Sequence, residues 1–323
     1  MMNYKKPEEK NWIGRVSLNS DAYWHEAVEL VDLSERDFDE LDLEGHPVAL
    51  LGYAADEGVK RNLGRVGAIN GPEHIRTNLG KLPIHFANNN IFDFGDITCE
   101  EHSMEGGQAV LANTVSQLID AGMFPIVMGG GHDIAFGHFV GISNSAIAQG
   151  KSIGIINFDA HFDLRAVEEE GNSGTPFYQI KQRLEKAGSD FHYLAVGIQE
   201  QGNTAELFDY ANSVGTHYIL AEDCTDVHIE SVTEKVQNFV MDVDCVYITI
   251  DMDGFSSAYA PGVSAPSAFG FSPTLVQSVL KSILATGKVI STDIAELNPE
   301  FDQDGCTAKL AARLVDILAR NRK

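Results

Sequence analysis

Six residues in three separate segments could bind cations and activate water. His132 follows a glycine run in GGGHD; Asp159, His161 and Asp163 alternate in NFDAHFDLR; Asp251 and Asp253 stand in ITIDMDG. Side chains at i, i+2 and i+4 of an extended backbone point to one side, so the middle segment is expected to present two carboxylates and an imidazole together. That donor set suits Mn²⁺ or a related first-row ion. Asp251 and Asp253 repeat the device, and two carboxylates on one face repel unless a cation or proton intervenes. Gly129, Gly130 and Gly131 are expected to let the chain turn tightly before His132. Asp133 and His138 are nearby alternative ligands, and His132 is preferred because it sits directly at the turn. No GKS or GKT follows the glycines, so they are not a phosphate loop.

Charge counting favours two ions over one. Four carboxylates carry about −4, which two divalent cations neutralise, whereas one leaves about −2 in a partly buried cleft. Water bridging two such ions is acidified towards neutral pH and becomes a nucleophile. The expected chemistry is metal-assisted hydrolysis without a protein nucleophile.

The elements that must position these groups read as strands alternating with helices. Eight apolar, β-branched runs recur: PVALLGYA, IFDFGDI, FPIVMGGG, SIGIINFDAH, HYLAVGIQ, THYILAED, CVYITIDMD and KVISTDIAEL. Amphipathic stretches lie between them, among them 107–122 and 272–287, the latter with Ser272 as N-cap and Pro273 at the first helical position. Near-continuous apolar strands alternating with helices indicate a parallel sheet covered on both faces. Periodicity alone leaves an open sheet and a closed barrel equally available. Several strands end in the polar segments above, and parallel sheets bind ligands beyond their carboxyl ends. One catalytic domain is expected over 46–323, preceded by an N-terminal arm over 1–45.

Composition narrows the partners. The net charge is −24, from 47 acidic and 23 basic residues, which argues against nucleic acid, since phosphate binding needs a concentrated basic face. No apolar run approaches the ~20 residues that span a bilayer, and the N-terminus lacks a secretory apolar region. The four cysteines form no CxxC pair, so buried, reduced thiols and a cytoplasmic location are expected. A small-molecule substrate and a homo-oligomeric assembly complete the expectation.

The three segments, in this order, resemble the signature of the ureohydrolase superfamily, which includes arginase, agmatinase and formimidoylglutamase. The carrying stretches are GGGHD at 129–133, DAHFD at 159–163, DMDGFSSAYAPGVSAP at 251–266 and DIAELNP at 293–299, with GRVGAINGP at 64–72 upstream. The resemblance implies a three-layer α/β/α sandwich with a mostly parallel, open eight-stranded sheet and two Mn²⁺ ions per chain. It implies that Asp159 and Asp251 bridge the metals, that His132 and Asp163 complete one shell and that His161 and Asp253 complete the other. Glu296, in DIAELNP, matches the residue that holds a cationic guanidinium or amidinium.

Within that superfamily, DEGVKRNLGRVGAINGP, NSGTPFYQI and APGVSAPSAFGF are most similar to formimidoylglutamase. Arg165 stands where arginase-like sequences carry Asn, and a permanent cation there suits a carboxylate of a dianionic substrate. The loop NSGTPF lacks the histidine of arginases. Asn172, Ser173 and Thr175 are candidate contacts for the glutamate portion. Tyr178 stands where many formimidoylglutamases have a basic residue, so Arg61 or Arg65 would have to replace it if that position meets a carboxylate. The implied reaction is N-formimidoyl-L-glutamate plus water giving L-glutamate and formamide, a step of histidine degradation. The bridging hydroxide would attack the formimidoyl carbon, and Asp163 would carry the proton to the leaving amine. The alternatives are a guanidino-substrate ureohydrolase and, from another class, a non-catalytic metal-binding regulatory subunit. The last would be expected to have lost ligands, and none of the six is missing.

Overall fold

The structure is a computed structural model, and it describes residues 3–18, 22–36, 38–41, 43, 45–86 and 90–323. All eight expected strands are present: β3 (Val48–Ala54), β4 (Ile91–Thr98), β5 (Phe124–Gly129), β6 (Ile153–Phe158), β7 (His192–Ile198), β8 (His217–Leu220), β9 (Cys245–Asp251) and β10 (Val289–Ala295). They are parallel and lie in the order β4-β3-β5-β10-β9-β6-β7-β8. The order does not close on itself, so the sheet is open. Two short strands of the N-terminal arm, β1 (Tyr4–Lys5) and β2 (Val28–Leu30), extend it to ten at the β4 edge, β1 running antiparallel.

Alternation along each strand feeds two cores. Leu50, Ile126, Met128, Val246, Ile248 and Ile250 face one layer of helices, Gly71–Leu79, Ile229–Met241, Pro273–Leu284 and Cys306–Asn321. Ala49, Leu51, Val127 and Tyr247 face the other, formed chiefly by Met104–Asp120, Ile134–Asn144 and Pro176–Ala187. Burial on both faces is why these strands read as continuous apolar runs. The caps behave as their residue types require: the Ser272 hydroxyl accepts from the Leu275 N–H at 3.2 Å, with Pro273 opening the helix.

At the sheet edge, fully buried Arg76 binds Asp93 and Asp96, and Trp12 of the arm donates to Asp93 at 2.8 Å. This ion cluster ties the arm to β4. The cysteines depart from uniform burial: Cys224 and Cys245 are buried, Cys99 is half-buried and Cys306, which opens the last helix, is exposed. All four are free thiols.

Candidate metal centre and substrate cleft

The four central strands deliver every expected ligand to one end of the sheet. His132 follows β5, Glu296 follows β10, Asp251 ends β9 and Asp159 follows β6. His132 Nδ1 lies 3.2 Å from Asp159, 2.9 Å from Asp163 and 3.1 Å from Asp251. His161 Nδ1 lies 3.5 Å from the other oxygen of Asp159 and 3.3 Å from Asp253. Two groups with metal-binding spacing result, one of His132, Asp159, Asp163 and Asp251, the other of Asp159, His161 and Asp253. Asp159 belongs to both.

The convergence does not come from strand alternation. β6 stops at Phe158, and residues 159–163 leave the sheet. The Asp159 carboxylate accepts the backbone N–H of His161 at 2.7 Å, and Asp251 accepts that of Asp253 at the same distance. Each pair is therefore an Asx-type fold-back, which competes with extended structure at strand ends. Asp163 has a left-handed φ of 47° and Glu296 one of 65°, an unfavourable backbone for a side-chain-bearing residue and one concentrated at functional sites. The glycine run also acts differently from a simple turn. A Cβ at Gly130 would lie 1.8 Å from the Ala55 carbonyl oxygen, so glycine is required there for close approach to the end of β3.

The alternatives to His132 have other partners. His138 is buried against Asp293 and Ser291, at 2.6 Å each. Asp133 accepts the Tyr53 hydroxyl at 2.7 Å, and burial pushes its carboxyl up to about 7.

The protonation of His132 follows from its neighbours. The Thr249 hydroxyl donates its only proton to Asp293 at 2.5 Å, so it can only accept at His132 Nε2, 2.9 Å away. His132 is therefore the Nε2–H tautomer. Its buried Nδ1, with no hydrogen-bond partner, aims a lone pair at three carboxylates. Such an arrangement requires a positive charge between them. Without a metal that charge is a proton: burial opposes it, but Asp159, Asp163 and Asp251 hold the His132 imidazole well above its ordinary value. Asp253, against some opposition from burial, pushes His161 up to about 12. Burial first, then Asp253 and Asp159, raise Asp251. Four buried carboxylates and two imidazoles thus fit a pair of divalent cations, whose charge would satisfy the orphaned Nδ1 and the unpaired Asp253 Oδ1.

Glu296 closes the same cleft. It is 4 % exposed, accepts the His132 backbone N–H at 2.9 Å, and is raised to about 8 by burial and then by Asp253. The cleft, 110 Å³ in volume, is lined beyond these residues by Val59, Asn62, Gly64, Arg165, Ser173, Ser264 and Ala265.

Family models and relatives agree with this geometry. The model of the Arginase family matches residues 46–319. The chain belongs to the arginase family. Within it, the chain is 42 % identical over 273 residues to a formimidoylglutamase of Aeromonas salmonicida, covering 84 % of this chain and 86 % of the relative. It is 40 % identical over 321 residues to a formimidoylglutamase of Clostridium tetani, covering 97 % and 95 %. The fold matches the crystal structure of Trypanosoma cruzi formiminoglutamase with Mn²⁺ at a TM-score of 0.77 and 24 % identity, over 88 % of this chain and 97 % of that one.

Of the residues expected at the substrate tail, Arg165 and Ser173 reach the cleft. Asn172 and Thr175 bind within their own turn: the Thr175 hydroxyl accepts the Asn172 N–H at 2.9 Å, and the Asn172 carbonyl group of the side chain accepts from Gly174 at 2.9 Å. Tyr178 lies outside, its ring 5.7 Å from that of Tyr210. Arg61 is engaged by Glu57, Glu105 and Glu170. Arg65 is engaged by the carbonyls of Val263 and Ser264 and by the Phe301 ring. Neither replaces a basic residue at position 178. Two supporting residues were not anticipated, Thr249 behind His132 and Asn157, which donates to Asp159 at 3.0 Å. Their signal was available: polar residues two positions before a ligand in an otherwise apolar strand.

Proposed function

We propose that this chain is a binuclear-metal hydrolase that cleaves N-formimidoyl-L-glutamate to L-glutamate and formamide, using two Mn²⁺ ions. One observation carries the substrate class: apart from the metal-site residues and Glu296, the polar side chains that line the cleft are Asn62, Arg165, Ser173 and Ser264, none of them a carboxylate. Among the described residues none is an ion-pair partner of the exposed Arg165. An unpaired guanidinium and neutral donors favour an anionic tail and disfavour the cationic tail of agmatine. The names of the curated relatives support the same substrate.

Asp159 and Asp251 are the proposed bridging ligands, with His132 and Asp163 completing one site and His161 and Asp253 the other. The two oxygens of Asp159, facing His132 and His161 respectively, support its part. Divalent ions held there supply Lewis acidity and a water activated at neutral pH. The chain's own groups do the rest. Ionised Glu296 orients the cationic amidinium through a charge-assisted hydrogen bond, and the approach of that cation counters the burial that raises its carboxyl. Arg165 holds a carboxylate of the tail, Ser173 lies beside it, and Asn172 and Thr175 shape the turn that carries Ser173. Asp163 transfers a proton to the departing amine. The C–N bond breaks as the carbon gains oxygen from water; formamide leaves neutral, and the amine of glutamate leaves as the ammonium, carrying the charge the amidinium brought in.

The reading carries one catalytic domain over 46–323 and an arm over 1–45, supported by the docking of β1, β2 and Trp12 on the sheet edge. Free cysteines support a reducing, cytoplasmic compartment. Among the described residues no helix is long and apolar enough to cross a membrane. A homo-oligomeric assembly belongs to the proposal, and light scattering on the purified enzyme measures it. The decisive assay is a substrate panel on manganese-loaded protein, reading formamide against urea. Formamide from formimidoylglutamate is expected. Urea from a guanidino substrate with no turnover of formimidoylglutamate overturns the assignment.

A further inference from the structure

His138, Tyr247 and Asp293 are fully buried and have no part in the chemistry above, yet all three meet behind the metal centre. We propose that Asp293, held by Tyr247 and His138, is a positioning residue for His132. It takes the Thr249 proton, so that Thr249 presents only a lone pair to the His132 ring. This rests on the reading of His132 as a metal ligand.

The strands bring the groups together. Tyr247 pairs with Ser291 and Thr249 with Asp293 across β9 and β10. Alternate residues of a strand share a face, so the four form a polar block that ends one step before Asp251. A core tolerates such a block only when its hydrogen bonds are made. Asp293 Oδ1 accepts the Thr249 hydroxyl at 2.5 Å. Asp293 Oδ2 accepts the Tyr247 hydroxyl and, at 2.6 Å, the His138 Nδ1–H. Ser291 holds the other ring nitrogen of His138 at 2.6 Å. The rings of His138 and Tyr247 lie 4.8 Å apart, so the two donors on Oδ2 also brace each other.

Hydrogen-bond direction does the rest. A carboxylate has no proton to give, so all three groups around Asp293 donate to it. Thr249, its one proton committed there, can only accept from His132 Nε2, 2.9 Å away. One buried bond thus decides which nitrogen of His132 turns a lone pair towards Asp159, Asp163 and Asp251. An amide at 293 reverses it. The two donors at the Oδ2 position claim the single amide oxygen, which leaves the NH₂ group against Thr249. The Thr249 proton then turns to His132 Nε2, and the proton of the neutral ring is left on Nδ1, the nitrogen needed for the metal.

The test is a double-mutant cycle read by manganese affinity, measured by competition with a fluorescent chelator. Asp293→Asn is expected to weaken one of the two binding steps about 100-fold, the upper end for a change behind a ligand, and to spare the other. In a Thr249→Val background there is no hydroxyl to reverse. Asp293→Asn should then add nothing, and the double variant should bind no more weakly than Thr249→Val alone. Tyr247→Phe removes one donor and keeps the ring. It should lower affinity several-fold, again only while Thr249 is present, and it decides the matter if melting temperatures show Asp293→Asn to be misfolded. Losses that multiply in the double variants, equal weakening of both ions, or unchanged affinity in either single variant overturn the network. Full manganese affinity in His132→Ala overturns instead the ligand assignment on which the network rests.

Discussion

Replacing Gly174 by alanine isolates the position of Arg165 without removing it. A Cβ at 174 would lie 2.1 Å from Arg165 Nη2 and 2.6 Å from its Cζ, and the three nearest atoms all belong to that guanidinium. Ordinary carbon–nitrogen contact is about 3.4 Å, so the guanidinium must retreat by roughly 1.3 Å. Gly174 does not have a left-handed φ, and the displaced group is the free end of an exposed side chain. Stability should therefore change by no more than about 0.5 kcal/mol. Binding is another matter. A charge-assisted bond contributes about 1.5–3 kcal/mol, and an Arg partly in solvent belongs to the lower half of that range. The Gly174→Ala enzyme should show KM for formimidoylglutamate raised roughly ten- to thirtyfold, with an unchanged melting temperature. Arg165→Ala should do the same or slightly more, and Gly174→Ala in the Arg165→Ala background should add nothing. Steady-state kinetics and a thermal melt on each variant suffice. If Gly174→Ala leaves KM alone while Arg165→Ala raises it, the gap over Gly174 does not place the guanidinium. If neither changes KM, Arg165 does not hold the tail.

Three further outcomes are expected. Thr249→Val removes the acceptor that fixes the His132 tautomer, so manganese affinity should fall about 10- to 100-fold, while Thr249→Ser stays near wild type; competition with a fluorescent chelator reads both. In metal-free protein, Glu296 and Asp133 are raised from 4.5 and 3.8 to about 8 and about 7. Groups that bind more protons folded than unfolded lower stability as pH rises. The chelated enzyme should therefore melt at progressively lower temperature from about pH 4.5 to about pH 8, and the stabilisation by added Mn²⁺ should grow over the same window; a chelated protein that gains stability with pH contradicts the assignment. Arg76→Ala strands the buried carboxylates of Asp93 and Asp96 and should cost about 3–5 kcal/mol, seen in denaturant unfolding, with the metal site otherwise intact.

The parts of the fold visible in the sequence are those that repeat. Eight parallel strands are legible because each buries both faces, and the ligand segments are legible because Asp and His at spacing two punctuate apolar runs. The arm strands were not legible: two or three residues such as Tyr4–Lys5 carry no periodicity, and their pairing depends on an edge supplied by β4. The fold-back at Asp159 and Asp251 was misjudged as strand alternation, because spacing two fits an extended chain and an Asx-type turn equally. Thr249 and Asn157 are marked in the sequence by standing two residues before a ligand in an apolar strand, but which group each one holds depends on neighbours across the sheet. Tyr178 shows the reverse case, a position that follows a recognisable motif yet points away from the cleft once the helix Pro176–Ala187 forms.

Register sets where the metal end of the cleft begins. Asn157, Thr249, Asp293 and Val127 form one row across β6, β9, β10 and β5, and the ligands begin two residues further along the first two of these strands. The sheet is thus a coordinate grid that sets, by backbone pairing, where the ligand segments leave β6 and β9, and the fold-backs onto Asp159 and Asp251 then aim the residues that follow. Asn62, Arg165, Ser173 and Ser264 stand farther along the chain from the strand ends than any of the six ligands. Substitutions, insertions or deletions there can reshape which tail is accepted without disturbing the grid. A one-residue slip in β9 would instead turn Asp251 to the opposite face of the sheet. A change to the chemistry and a change to the accepted tail are therefore separable in this architecture, and the boundary between them runs along the carboxyl edge of the sheet.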